Sequence, residues 1–160
     1  MSRLRAVNLC GSEDLLFYVE SDGGGRVASL WVVLGSALGG LARYWLGALV
    51  AAWTGPSFPW GTLLINVLGS FVIGLFAAAL GERGVFSDAL RQSGQFLDIV
   101  DLRAFVMVGL CGGFTTFSAF SLQSLELLQA GRFGPALGYM VGSVLACLLA
   151  AWGGWALGRA

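Results

Sequence analysis

The sequence predicts an all-α membrane protein of four transmembrane helices with a break in the third. Three observations carry this. The 160 residues are 57% hydrophobic and 11% charged, with mean hydropathy +0.80, too apolar for a water-soluble single domain. A bilayer requires about 20 mostly apolar residues per helix, and four segments supply them, at residues 27–53, 60–80, 104–128 and 133–157. Inside the third segment, "LCGGFTTFSAFSLQS" (110–124) places paired glycines and hydroxyls where a spanning helix would normally carry leucine.

Val27 to Trp53 is the first span. The 26 residues before it open with arginines, but the apolar run "LLFYV" is too short for a signal peptide. They are expected to form a flexible extension ending in the "GGG" of residues 23–25. Residues 27–160 then form the four-span domain. In the first span Gly35, Gly39, Arg43 and Gly47 recur every fourth residue. An arginine at membrane depth is costly and marks either a functional position or, beside Tyr44 and Trp45, an interfacial anchor that snorkels.

"TGPSFP" turns the chain into the second span, and "QAGRFGP" turns the third into the fourth; turns this short make each pair antiparallel neighbours. In "GTLLINVLGS", Thr62 and Asn66 lie four apart on one helix face. An unpaired amide in hydrocarbon costs several kcal/mol, roughly 2–7, so Asn66 faces protein or water, as interhelical glue or as a pore donor. The connection at 81–103 is longer, and "DALRQSGQFLDIVDLR" has the pattern of an amphipathic surface helix. Trp53, Trp60, Trp152 and Trp155 sit near span ends as aromatic anchors. Arg26, Arg83, Arg91, Arg103 and Arg159 fall on one side and Arg132 on the other, so the positive-inside rule puts both termini in the cytoplasm.

In the third span, Gly112 and Gly113 weaken the helix and Thr115 and Thr116 compete for its backbone bonds. A break follows, whose freed carbonyls suit a small monovalent cation such as Na⁺. Beyond it, Phe117, Phe120, Ser121 and Ser124 share a face. Two ring edges carry partial positive charge and could meet an anion beside hydroxyl donors such as Ser118; a packing helix with core phenylalanines is the plainer alternative. In the fourth span Gly134, Gly138, Gly142, Ala146, Ala150, Gly154 and Gly158 form a small-residue stripe for close packing. Beside it runs a polar row of Tyr139, Ser143 and Cys147.

The exclusions are as useful. Nine arginines balance nine acids, with no lysine, so no basic patch points to nucleic acid. There is no histidine, and the three cysteines are scattered, which removes imidazole chemistry and thiolate metal clusters. The first two spans hold no carboxylate, against a proton-coupled cation exporter.

Taken together, "GGLARYW" (39–45), "GTLLINVLGS" (61–70) and "GLCGGFTTFSAFS" (109–121) resemble the CrcB/Fluc family of fluoride channels. The resemblance covers residues 27–158. It implies a passive fluoride-selective channel and not an enzyme, inserted as a multi-pass protein of the inner (plasma) membrane, which lowers cytoplasmic fluoride. It implies a dual-topology, antiparallel dimer in the lipid bilayer, formed with a second copy or with an oppositely oriented homologue. It also implies a structural Na⁺ on the dimer axis, held by main-chain oxygens of Gly112 and Thr115. Fluoride-pathway roles fall on Thr62, Asn66, Phe117, Ser118, Phe120, Tyr139, Ser143 and Cys147, and a structural or vestibule role on Arg43. Ala119, Gln123 and Cys147 depart from the usual family residues, so the polar track is thinner here. The rival readings are a small four-span multidrug exporter and a membrane scaffold that only oligomerises.

Overall fold

The computed structural model describes residues 24–81 and 99–159; most of the predicted N-terminal extension and of the amphipathic connection lies outside them. Five helical elements form four membrane-spanning lengths. Helix α1 is Gly24–Thr54 and α2 is Trp60–Ala79. Residues 99–114, named α3, run without interruption from an α-turn at Ile99–Arg103 through a π-wound stretch at Ala104–Cys111 to a last turn at Gly112–Phe114. Helix α4 is Phe117–Gln129 and α5 is Phe133–Leu157. By length and composition, the segments Ala28–Thr54, Trp60–Ala79, Ile99–Gln129 and Phe133–Leu157 can each cross a membrane. The protein is a multi-pass membrane protein.

Two boundaries differ from expectation. Helix α1 takes in Gly24, inside the triplet read as a hinge, and the third span starts at Ile99 rather than Ala104. Local chemistry accounts for the sharp turns. Gly55 adopts φ +72° and Gly131 φ +71°, left-handed conformations that glycine takes without steric cost and that close helix C-termini. After α4 the N–H of Arg132 reaches Leu127 O at 3.0 Å and that of Gly131 reaches Leu128 O at 3.0 Å, the paired bonds of a Schellman ending. Arg132 Nη1 also donates to Ser57 O at 2.6 Å, tying one turn to the other.

Extensive packing does not follow the short connections. Helix α2 lies chiefly against α5, and α1 chiefly against α3; the consecutive pairs α1–α2 and α4–α5 touch less. The reason is glycine placement. A Cβ on Gly35 would collide with Phe105 O and stand 2.8 Å from Leu110 N, and one on Gly113 would stand 2.6 Å from Ser36 O. Glycine 109 answers from the other helix, its notional Cβ 2.9 Å from Gly35 Cα. On the second pair, Gly74 meets Ala151 and Gly154 meets Phe71 and Leu75, again at backbone atoms. Such backbone approach supplies the dispersion contacts that replace the hydrophobic effect between helices in lipid.

The small-residue stripe of α5 is therefore used over only part of its length. Gly154 and Gly158 pack on α2, whereas Gly134, Gly138 and Gly142 have open space above them. Four residues advance a helix by slightly more than one turn, so the stripe drifts off the α2 contact. Few side chains are fully buried; Tyr139, Leu80 and Cys111 are the largest. Apolar side chains such as Leu38, Trp45, Leu137 and Leu148 point outward, as lipid or a partner subunit requires. Trp53, Trp60, Trp152 and Trp155 are exposed near helix ends, where amphipathic rings anchor at the headgroups. Arg103 Nη2 donates to Leu80 O, satisfying a carbonyl at the end of α2 and pinning the start of the third span to it.

Candidate functional site

The break falls at the two threonines and not at the glycines. Gly112 keeps helical angles (φ −64°, ψ −39°), while Thr115 (φ −78°, ψ 158°) and Thr116 (φ −151°, ψ 110°) are extended. Gly113 serves close packing against Ser36 while Gly112 faces open space, and the threonines, whose hydroxyls bond backbone locally, stop the helix. Thr115 N and Oγ1 both donate to Cys111 O at 2.9 Å. Thr116 Oγ1 accepts from Ala119 N at 3.2 Å and so caps α4.

Extended backbone at this depth leaves polar groups that must find partners within the protein. Asn66 supplies them in both directions: Thr116 N donates to its Oδ1 at 2.8 Å, and its Nδ2 donates to Thr116 O at 3.1 Å. Both bonds join α2 to the break. The side chain is interhelical glue, with one amide hydrogen left over beside the cleft described below. The bond has a second effect. In an unbroken helix Thr116 N–H would serve the Gly112 carbonyl; diverted to Asn66, it leaves that carbonyl without its helical donor. Arg43 Nη1 donates to Thr115 O at 3.3 Å, so the arginine reaches the break and does not snorkel away as an interfacial anchor.

Next to the break lies a cleft of about 590 Å³. It gathers Asn66, Gly112, Thr115, Phe117, Phe120, Ser143 and Cys147, seven of the residues singled out in the sequence, and among the described residues no charged side chain lines it. Ser143 is buried at 4% exposure and its Oγ has no hydrogen-bond partner, a donor held in reserve at the cleft wall. The rings of Phe117 and Phe120 stand 5.4 Å apart, inclined by 41°, and Phe117 is 78% exposed.

Other expected residues lie elsewhere. Tyr139 is fully buried between Phe120 and Phe58, at centroid distances of 5.2 and 5.5 Å, and its hydroxyl donates to Gln123 Oε1 at 3.0 Å. Thr62 interacts with the same phenol and lines a second cavity of about 470 Å³ between the two short turns. Ser118 pairs with Thr116 Oγ1 at 3.2 Å and is absent from the cleft wall. The hydroxyls expected to share the phenylalanine face are already engaged: Ser121 Oγ donates to Phe117 O at 2.9 Å and Ser124 Oγ to Phe120 O at 2.7 Å. Both back-bond to the carbonyl four residues earlier, the usual habit of serine inside a helix. Thr116 is the residue that sequence reasoning underused; a threonine just ahead of a resumed apolar pattern is a helix-start signal. Among the described residues no three His, Cys, Asp or Glu converge on a metal site, so any cation at the break would depend on backbone oxygens.

Fold and site together define a small four-span helical membrane protein with a broken third span and an uncharged polar cleft beside the break. The chain belongs to the family described as CrcB-like protein, Camphor Resistance (CrcB), whose profile matches residues 30–155. Curated relatives agree. A protein of Methylocella silvestris named "Fluoride-specific ion channel FluC" is 52% identical over 123 residues, covering 77% of this chain and 86% of the relative. Proteins of the same name from Opitutus terrae (48% identical, 77% and 86% covered) and Thermus thermophilus (47%, 82% and 94%) are similar too.

Proposed function

We propose that this chain is the subunit of a fluoride-selective channel that passes the ion down its electrochemical gradient and lowers cytoplasmic fluoride. The observation that carries the reading is the cleft: a free buried hydroxyl at Ser143, two adjacent phenylalanine rings and, among the described residues, no charged side chain in its wall. A small, strongly hydrated anion needs donors that replace its water without trapping it. A hydroxyl, the spare amide hydrogen of Asn66 and the positive edges of aromatic rings meet that need, whereas a fixed cation would hold the ion. The names of the relatives point to the same substrate. A proton-coupled multidrug exporter is disfavoured because, among the described residues, the cleft offers no carboxylate to exchange protons.

In this reading the protein works as an antiparallel dimer in the cell membrane. Support comes from what one chain leaves uncovered: Gly112 and Phe117 are exposed, and the first half of the α5 stripe has nothing packed on it. Polar backbone facing hydrocarbon is costly, and a second copy or an oppositely oriented homologue would cover it. The residues at the break also fit a structural Na⁺. Gly112 O has lost its helical donor and Thr115 O has a single long bond to Arg43. Two such carbonyls from each of two copies, without carboxylates, suit a hard monovalent ion. Bound there, the ion supplies fixed positive charge that joins the two breaks.

Purified protein in liposomes is expected to release fluoride and retain chloride. Equal leak of both would overturn selectivity, and no leak at all would favour the scaffold reading. Phe117→Ile and Phe120→Ile should each slow efflux by about tenfold, the equivalent of roughly 1.4 kcal/mol of lost ring-edge interaction, with the elution volume on size exclusion unchanged. A reporter on the C-terminus that is active on one side only, compared with one active on the other, tests the dimer; signal from a single side would exclude a dual-topology homodimer.

A further inference from the structure

The second cavity has a charge pattern that the conduction path itself lacks. About 470 Å³ in volume, it opens between the α1–α2 and α4–α5 turns, at the end of the protein where Trp53 and Trp60 are exposed. Its polar lining is Thr54, Ser57, Thr62, Gln123, Glu126 and Arg132. Thr62 and Gln123 both touch the buried Tyr139 phenol, and Tyr139 packs on Phe120 of the first cleft. The cavity thus lies beside the cleft, with the buried Tyr139 between them. It holds two charges of opposite sign that form no ion pair with each other. Arg132 is held by one guanidinium nitrogen on Ser57 O at 2.6 Å, which fixes its position and leaves its other donors unused. Arg43, the other cation on this half of the fold, is committed to Thr115 O.

We infer that this cavity is the antechamber to the cleft and that Arg132 and Glu126 set the rate at which the anion enters it: Arg132 concentrates fluoride at the mouth and Glu126 opposes it. The inference rests on the proposal of fluoride conduction. Both charges are exposed, so their influence travels through water and is screened by salt. A unit charge about 8 Å from a passing anion in water changes its local concentration roughly twofold. At about 0.02 M ionic strength the Debye length is roughly 20 Å and most of this influence survives; at about 0.3 M it is roughly 6 Å and the effect fades.

The test is the initial rate of fluoride efflux from liposomes, at subsaturating fluoride, measured at those two ionic strengths for the parent, Arg132→Gln, Arg132→Lys and Glu126→Gln. Arg132→Gln should be about twofold slower than the parent at low salt and nearly equal to it at high salt, and Glu126→Gln about twofold faster at low salt only. Arg132→Lys, which keeps the charge and loses the planar fork, should follow the parent. Three results would overturn the inference: an Arg132→Gln deficit that is the same at both salts, a Glu126→Gln rate equal to the parent's at both, or a lysine variant as slow as glutamine. The first and third would assign Arg132 to bracing the turns through Ser57. If the parent itself releases no fluoride, the conduction proposal fails and takes this one with it; if the parent conducts and the variants show no salt-dependent change, only this inference falls.

Discussion

Asn66→Leu is expected to reduce fluoride efflux to below about a tenth of the parent rate and to lower thermal stability. Leucine has the same branching and a somewhat larger volume, so the α2 face stays filled, but it can neither accept from Thr116 N nor donate to Thr116 O. Two backbone groups would then be stranded at membrane depth, each costing about 1–3 kcal/mol. The cheapest relief is for Thr116 to return to helical angles and give its N–H back to Gly112. That repair would straighten the third span, turn the Phe117 and Phe120 rings away from the cleft and refill the carbonyl proposed for the cation. Efflux and melting temperature measured together would decide; an Asn66→Leu protein with normal flux would mean the break holds itself.

Gly39→Val should prevent assembly of the folded protein. A Cβ at Gly39 would overlap Leu110 O and stand 2.8 Å from Phe114 N and 3.1 Å from Leu110 C. All three are backbone atoms, so no rotamer change relieves the clash and α1 must move off α3. Overpacking a tight core costs about 1–3 kcal/mol where side chains can yield, and more is expected where they cannot. The neighbouring Gly40 is the control, since a Cβ there meets nothing within 4 Å. Gly40→Val should give monodisperse protein in normal yield; if Gly39→Val does the same, the α1–α3 contact is looser than the structure has it.

Much of the architecture is legible in the sequence because membrane spans obey a simple length rule. The apolar runs at 60–80 and 133–157 meet helices Trp60–Ala79 and Phe133–Leu157 because prolines and glycines punctuate their ends. Which helices pack together is less legible. Short turns suggest consecutive partners, yet backbone approach at Gly35–Gly109 and Gly74–Ala151 outweighs connectivity, and complementarity between two glycine stripes is not visible in either alone. Within the site, the composition of "GGFTT" announces a break but not its position. Glycine can accept helical angles when a neighbouring backbone needs the room, so the threonines break first. The serines mislead for a related reason: spacing places Ser121 and Ser124 on the phenylalanine face, but spacing cannot say whether a hydroxyl looks outward or back along its own helix. Ser143 is the exception that remains unpaired.

The π-wound stretch Ala104–Cys111 bears on how the break is aimed. Wider winding accommodates a residue that α-winding would not, so it sets a phase difference between the start of the third span and everything after Cys111. The same number of residues wound as plain α-helix would turn the downstream half by roughly 100°. Thr115, Thr116 and the two phenylalanines would then leave the cleft side, with no change in their own sequence. Orientation of the pathway is thus encoded upstream of it, in eight apolar residues that carry none of its chemistry.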